Sequence, residues 1–251
     1  MLFRYTRSVT ERKKLNKLMT TMPKGMPVTT NALQAAGIYP TLAERYVGSG
    51  WLTRLGRGVY QRTGESLLLH PTLRVLEGRV SGLHIGGKTA LDWYGIRQYV
   101  AINPVLLIYG WDAFRLPAWF TRTFPAEYRR KRLFDENPQA MLGVQPYRDA
   151  PDGAMTSDPE RAFLEMLSEV GTRQTLDEAR ELAQTTDTLR HEELQRLLHA
   201  CRSVKTVRLA LTLGRELELP WVAALVVREL PTGSRSRWVA RSKNGTIVLK
   251  P

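Results

Sequence analysis

A glycine-rich stretch ending in lysine and threonine is the first part of this sequence where chemistry could be expected. Residues 82–89, GLHIGGKT, satisfy the pattern G-x-x-x-x-G-K-[ST]. In a nucleotide site of this kind the backbone N–H groups of the loop bind phosphate, the lysine reaches the terminal phosphates and the hydroxyl contacts Mg²⁺. A nucleotide-binding switch or an ATPase would therefore depend on Lys88 and Thr89.

The residues around this stretch do not supply the strand and helix that such a loop requires. The apolar residues of 71–80 are spaced more like a helix ending near Gly78 than like a buried strand. Residues 88–95 give barely two helical turns, and the best strand, 105–109, ends before Asp112, whereas a magnesium-binding aspartate should come directly off the strand. Nucleotide binding is therefore kept only as an alternative function.

No other catalytic or metal-binding pattern is found in the sequence. The four histidines are dispersed and none has the spacing of a metal site, and there is no Gly-x-Ser-x-Gly motif. A single cysteine, Cys201, can form neither an intrachain disulfide nor a cysteine-rich zinc site, and its apolar neighbours predict a core residue. We therefore predict no catalytic residue, no metal, no cofactor and no enzyme activity.

The positive charge of the chain is concentrated at its N-terminal end. The 251 residues carry a net charge of +13, and residues 1–85 hold thirteen Lys and Arg against four acidic residues, whereas residues 151–251 hold fifteen against fourteen. Segregated positive charge predicts a polyanionic partner, because binding to phosphates releases condensed counterions. The alternative is a basic surface that serves only solubility.

The length and apolar content are those of a globular protein with one large domain or two ordinary ones. The apolar fraction is 43%, and the longest apolar run, Trp221 to Val227, is too short to cross a bilayer. We therefore expect a cytoplasmic protein with no membrane partner.

The order of predicted elements at the N-terminus is that of a winged helix-turn-helix domain. Helices are predicted over 8–19 and 28–37, the second capped by a threonine and ended by a glycine. A tight turn precedes a short helix over 41–47, and residues 48–60 form two β-prone arms around a three-residue Gly-Arg-Gly loop. We place this domain at residues 1–80.

This domain predicts a set of DNA contacts. The short helix would present its polar side chains to the major groove, and the hairpin would bring arginines beside the backbone or the minor groove. The predicted DNA-binding residues are Lys13, Lys17, Thr29, Thr30, Asn31, Thr41, Glu44, Arg45, Ser49, Arg54, Arg57 and Arg62. The alternative is a small helical domain whose hairpin contacts protein.

Residues 81–251 predict a mixed α/β domain with a small sheet and a helical bundle, so the whole chain is assigned to the α+β class. Apolar runs at 104–109, 119–124, 133–134 and 142–145 suggest the sheet. Between them, the basic run that includes Arg129–Arg132 is interpreted as a solvated strand edge. Its alternative is a phosphate contact with RNA or DNA.

Beyond residue 156 the pattern is helical. Ser157 and Thr175 begin capping sequences, and amphipathic segments follow at 189–201 and 204–217. An Asn-Gly pair between alternating arms predicts a final hairpin whose strands could join the middle sheet. Trp221 and Trp238 are interpreted as core residues.

Three segments together resemble a known family. They are Pro-Val-Thr-Thr with the following Ala-Ala-Gly-Ile, then Gly-Trp-Leu-Thr-Arg-Leu-Gly-Arg-Gly-Val-Tyr, then His-Ile-Gly-Gly-Lys-Thr-Ala-Leu-Asp-Trp-Tyr-Gly. In order and spacing they resemble the antitoxin of the AbiE toxin–antitoxin systems of type IV, the AbiEi-type transcriptional regulators. The similarity is strongest over residues 26–95 and extends over most of the chain.

The resemblance implies a repressor and antitoxin active in abortive infection and phage defence. The winged helix would bind double-stranded DNA, an inverted repeat in the promoter of its own gene. The domain at 81–251 would counter a nucleotidyltransferase-like toxin encoded beside it, without a stable complex. The resemblance also implies that residues 82–89 are a structural turn and helix start, and an RNA-binding antitoxin remains a further alternative.

Overall fold

The computed structural model describes residues 13–97, 104–137, 140–150, 152–234, 238–242 and 245–249, the last two segments by their backbone alone. The first part of the fold has three helices and a small sheet. Its elements are α1 (13–21), β1 (Val28–Thr29), α2 (Thr30–Ala35), α3 (Pro40–Gly48), β2 (Leu52–Gly56) and β3 (Val59–Arg62). The first residues of the helix predicted over 8–19 lie outside the described chain.

Local sequence explains where these elements begin and turn. Thr29 caps α2 by accepting a hydrogen bond from the Ala32 N–H at 3.3 Å, and Gly37 turns the chain after α2 with a φ of +75°. Pro40 is the first residue of α3, where its missing N–H costs nothing. The strands pair antiparallel in the order β1-β3-β2. The predicted winged helix-turn-helix fold is confirmed.

The wing turn is one residue shorter than predicted. Gly56 pairs with Val59, so only Arg57 and Gly58 connect the strands, and the extra residue is absorbed by a bulge between Arg54 and Gly56. Gly58 has a φ of +69°, which a residue with a side chain rarely adopts.

The second part of the fold is a mixed five-stranded sheet packed against helices. The sheet and its local helices are α4 (Leu69–Glu77), β4 (His84–Ile85), α5 (Gly87–Trp93), β5 (Leu106–Gly110), α6 (Ala118–Thr123), β6 (Ala126–Arg130), β7 (Val144–Pro146) and β8 (Met155–Ser157). The helices that follow are α7 (Pro159–Ser168), α8 (Leu176–Ala183), α9 (His191–His199), α10 (Val204–Glu216) and α11 (Pro220–Ala223), before a short 3₁₀ turn at Val227–Glu229. The strand order is β6-β5-β4-β8-β7. The α+β class is confirmed.

The strands of the five-stranded sheet differ in part from those predicted. Residues 119–124 belong mostly to α6 and form no strand. Phe120 and Phe124, four residues apart, lie on one face of this helix with their ring centres 5.4 Å apart. Phe134 makes only an isolated bridge to Cys201. Two short strands that the sequence did not predict, β4 and β8, fill the centre of the sheet.

The C-terminal hairpin is confirmed, but its described residues do not join the middle sheet. β9 (Trp238–Ser242) and β10 (Gly245–Leu249) form a separate two-stranded sheet in which Gly245 pairs with Ser242. Its connecting residues and the side chain of Trp238 lie outside the described part of the structure. Trp221 and Cys201 are buried, as predicted.

The helix predicted to begin at Ser157 starts one residue later. Asp158 is the N-cap residue of α7, and the Ser157 hydroxyl donates to the Glu165 carboxylate at 2.9 Å. Thr175 caps α8 as predicted, accepting from the Glu178 N–H at 3.1 Å.

Buried apolar side chains form two clusters that meet at the wing. The first spans positions 15–60, and the second runs from Val59 to Leu230 around α7, which is buried on all sides. Trp119 of α6 lies so close to Gly56 that an added Cβ would be 3.0 Å from its ring. The wing therefore packs against the second part of the fold, which is called the second domain below. The division at residue 80 stays a prediction.

No helix in the described segments is long and apolar enough to cross a membrane. The same segments contain no cluster of three His, Cys, Asp or Glu side chains that could hold a metal ion.

Candidate nucleic-acid interface

The outer face of α3, together with its C-cap residue Ser49, carries four of the predicted contact residues. Thr41, Glu44, Arg45 and Ser49 are exposed, whereas Ala43 and Tyr46 on the opposite face are buried in the first cluster. The helix therefore presents polar groups one or two turns apart on a single exposed face. An arrangement of this kind can read base edges in a major groove.

Arg54 lies on the same face because Glu44 holds it there. The two side chains form an ion pair, each with 49% of its surface exposed, and the Tyr60 hydroxyl donates to Glu44 at 3.2 Å. The Arg54 guanidinium also lies 5.7 Å from the centre of the Tyr60 ring. The charge of Arg54 is thus partly neutralised by a pairing that was not predicted from the sequence.

Arg57 is the exposed cation at the tip of the wing, and no other described residue pairs with it. The Thr30 N–H donates to the Gly58 carbonyl at 2.9 Å, which fastens the wing tip to the start of α2. Asn31 is exposed beside it and, with Arg57 and Arg79, lines a groove of about 700 Å³. This is a second place where a phosphate backbone could be contacted.

Three of the predicted residues hold the domain together through their hydroxyl or backbone groups. Thr29 caps α2, Thr30 is half-buried against the wing, and the Ser49 hydroxyl donates to the Arg45 carbonyl at 2.8 Å. By contrast, Lys13 and Lys17 are exposed on α1.

Arg62 does not lie on the predicted surface. Only 13% of its side chain is exposed, and its guanidinium donates to the Met19 and Met22 carbonyls and to Glu65. These bonds tie the end of α1 to β3. Arg62 is therefore left out of the proposed DNA interface, because its guanidinium is bound inside the domain.

Two exposed residues on these surfaces were not among the predicted contacts. Tyr39, 63% exposed, stands immediately before α3, and Arg79 is exposed across the groove from Arg57. Tyr39 could have been predicted from the sequence, because it stands at the start of the predicted recognition helix. Arg79 could not, because only the fold brings it near the wing.

In the GLHIGGKT stretch, internal groups occupy the positions that a nucleotide would need. α5 begins at Gly87, whose N–H donates to the Glu165 carboxylate at 3.0 Å. Lys88 pairs with Glu178 at 2.6 Å, and the Thr89 hydroxyl accepts from the Leu107 N–H at 2.8 Å. An internal carboxylate thus lies where a phosphate would bind, which supports the structural interpretation of this stretch.

Glu165 belongs to a buried ionic network. Arg161 donates to both Glu165 and Glu136, at 2.7 and 2.8 Å. His84 Nε2 lies 2.8 Å from Glu165 and Nδ1 lies 2.7 Å from the Gly82 carbonyl, so both ring nitrogens face oxygen atoms. Although burial opposes ionisation, His84 and Arg161 lower the pKa of Glu165 to about 2. Arg161, His84 and two carboxylates therefore form one network inside the second domain.

The basic run Arg129–Arg132 is also used internally. Residues 129 and 130 lie on β6, at the edge of the sheet, as predicted. Arg129 and Lys131 pair with Glu169, and Arg132 stacks 4.8 Å from the centre of the Trp111 ring. These contacts favour the strand-edge interpretation over a phosphate contact.

The fold and the exposed face of α3 define a winged helix-turn-helix protein with a second α/β domain. Family models match almost the whole chain: the AbiEi antitoxin N-terminal domain of transcriptional regulators over residues 11–102, and the transcriptional regulator and AbiEi antitoxin of type IV toxin–antitoxin systems over residues 103–250. The chain belongs to this AbiEi family. The family resemblance inferred from the sequence is confirmed.

A solved structure shares the fold. The Rv2827c protein from Mycobacterium tuberculosis matches with a TM-score of 0.56 and 18% identity over 92% of this chain and 89% of that one. A search of curated proteins found no match.

Proposed function

We propose that this chain represses its own gene by binding an inverted repeat in the promoter through α3 and the wing. The exposed polar face of α3 is the observation that carries the proposal. Arg45 would contact base edges, and Arg57 would contact a phosphate or enter the minor groove. The concentration of positive charge in residues 1–85 supports this orientation.

Substitution of the two arginines tests the proposal. Arg45→Ala removes a base contact, so promoter affinity should fall by roughly 1–3 kcal/mol and discrimination should relax at one position. Arg57→Ala should weaken binding to all sequences and lower the salt slope by about one. Fluorescence anisotropy with a labelled promoter duplex measures both effects.

Arg215→Ala is the matched control, because this exposed arginine stands on α10 of the second domain. It should bind promoter DNA like the original protein. Unaltered promoter affinity in both Arg45→Ala and Arg57→Ala would remove these residues from the interface. Competition by structured RNA that displaces the promoter at equal concentration would favour the RNA-binding alternative.

We further propose that the protein counters a nucleotidyltransferase-like toxin encoded beside its gene, without a stable complex. Membership of the AbiEi antitoxin family supports this role. The proposed partners, DNA and this toxin, would place the protein in the cytoplasm.

Co-expression tests the antitoxin role. The protein should restore growth to cells that express the adjacent toxin, while purified toxin and antitoxin should elute separately from a gel-filtration column. Failure to restore growth would contradict the role, and co-elution as one species would contradict the absence of a complex.

A further inference from the structure

The groove beside the wing contains two arginines and no acidic residue. It has a volume of about 700 Å³ and lies between the end of α1, α2, the wing tip and the end of α4. Its described lining includes Arg57 and Arg79 but neither Asp nor Glu. The groove is therefore positively charged, which suits a polyanion.

Neither arginine is neutralised by a neighbour. Arg57 and Arg79 are exposed, and neither forms an ion pair or a side-chain hydrogen bond with another described residue. By contrast, Arg74 on α4 pairs with Glu77 at 3.0 Å. Because Arg57 and Arg79 have no such partner, they can bind phosphates without first giving up an ion pair.

The backbone is fixed at both arginines. The Thr30 N–H donates to the Gly58 carbonyl next to Arg57, and the Arg79 N–H donates to the Leu76 carbonyl, each at 2.9 Å. The two side chains therefore extend from defined points of the groove, so less ordering is needed when a partner binds.

The groove lies where the backbone of a bound duplex would pass. In helix-turn-helix proteins the second helix of the motif enters the major groove while the first helix crosses the phosphate backbone. Here α2 is that first helix, and its exposed Asn31 lines the groove. The described lining contains no residue of α3, so the backbone in the groove would lie beside the bases that α3 reads.

We propose that Arg79 is a DNA contact that binds, together with Arg57, the phosphate backbone flanking the bases read by α3. The contact presupposes the DNA binding that we propose for α3 and the wing. A phosphate carries no sequence information, so Arg79 raises the affinity for any duplex and helps to fix the orientation of the protein on DNA.

Substitution of Arg79 tests the proposal on two labelled duplexes, the promoter and a scrambled sequence. Arg79→Ala should lower the affinity for both duplexes about threefold to tenfold and reduce the salt slope by about one. Arg79→Lys keeps the charge and should keep the salt slope. Arg215→Ala, which removes an exposed arginine of α10, should bind both duplexes like the original protein.

Hydroxyl-radical footprinting locates the contact. The original protein should protect sugars that flank the bases contacted by α3, and Arg79→Ala should lose this flanking protection while the protection at α3 remains. A duplex trimmed to the bases contacted by α3 should bind Arg79→Ala and the original protein equally. The double variant Arg57→Ala/Arg79→Ala should lower the salt slope on the full duplex by about two.

Unchanged affinity and salt slope of Arg79→Ala, or flanking protection that persists in this variant, would overturn the proposal. A salt slope of Arg79→Lys as low as that of Arg79→Ala would also overturn it. The scrambled duplex separates this proposal from autorepression, because Arg79→Ala should weaken its binding even if the promoter is not preferred. Equal affinity of the original protein for the two duplexes would overturn autorepression alone, whereas binding to neither duplex would overturn both.

Discussion

Glu44 sets the charge of the surface that we propose to face DNA. Its carboxylate pairs with Arg54 and accepts a hydrogen bond from the hydroxyl of the buried Tyr60. A carboxylate among phosphates is repelled unless it accepts a hydrogen bond from a base, and cytosine offers an amino group for this. Glu44 would therefore limit binding to unrelated sequences.

Glu44→Gln should raise affinity for a scrambled duplex about threefold to tenfold at low salt, because it removes one negative charge and releases Arg54. Anisotropy titrations with scrambled and promoter duplexes measure the effect. Glu192→Gln, at an exposed position on α9, is the control. Equal affinities of Glu44→Gln and the original protein for the scrambled duplex would contradict this role.

The ionisation of Glu165 makes the stability of the folded chain depend on pH. The pKa of its carboxyl is lowered from 4.5 to about 2 in the folded chain, so its contribution to stability is complete above pH 4.5 and is lost as the pH falls towards 2. This contribution is on the order of 3 kcal/mol. Protonation of Glu165 in acid should therefore lower the free energy of unfolding of the second domain.

Glu165→Gln should lower the free energy of unfolding at pH 7 by about 3–5 kcal/mol, because Arg161 and His84 lose their buried partner. Urea unfolding between pH 7 and 2.5 measures both the loss and its pH dependence. The variant should be less sensitive than the original protein between pH 4.5 and 2. An identical pH dependence in the two proteins would contradict this assignment.

The wing depends on packing against α6. Leu55 and Val59 on the wing pack in the same apolar cluster as Trp119, which also touches Gly56. Two strands joined by a short turn are only marginally stable by themselves. The position of the wing is therefore set partly by the second domain.

Trp119→Ala should destabilise the protein by about 3–5 kcal/mol and weaken promoter binding even where the chain is still folded. Trp119→Phe retains a ring against Gly56 and should lose less of both. Thermal unfolding and anisotropy at low temperature separate the two effects. Full promoter affinity in folded Trp119→Ala would show that the wing does not need this support.

The sequence predicted those elements whose ends have local causes. Thr29, Gly37 and Gly58 begin or end elements through hydrogen bonds and backbone angles that their own residue types allow. The aromatic residues at 119–124 fit a buried strand or a buried helix equally well, and only packing decides between them. Two-residue strands such as β4 are too short to show a period.

The candidate site was predictable to the extent that it lies on one helix. The period of α3 separates Thr41, Glu44 and Arg45 from the buried face, and the sequence showed this. Arg62 also looked exposed, but carbonyl groups at the end of α1 accept its hydrogen bonds. Contacts between distant segments, such as Gly87 with Glu165, cannot be predicted from the local sequence around either residue.

Repression and toxin neutralisation should be separable, because we assign them to different parts of the molecule. The proposed DNA contacts lie on α3 and the wing, whereas we assign neutralisation to the second domain. The double variant Arg45→Ala/Arg57→Ala, expressed from an unrelated promoter, should lose repression of a reporter and still restore growth against the toxin. Loss of both activities in a folded double variant would contradict this division.

Binding of the purified protein to its own promoter duplex over a range of salt concentrations tests whether the N-terminal domain recognises this DNA. Affinity should fall steeply as salt rises, and the promoter should bind on the order of 10³-fold or more tighter than a scrambled duplex at physiological salt. Equal affinity for both duplexes, or an affinity that does not change with salt, would contradict this recognition.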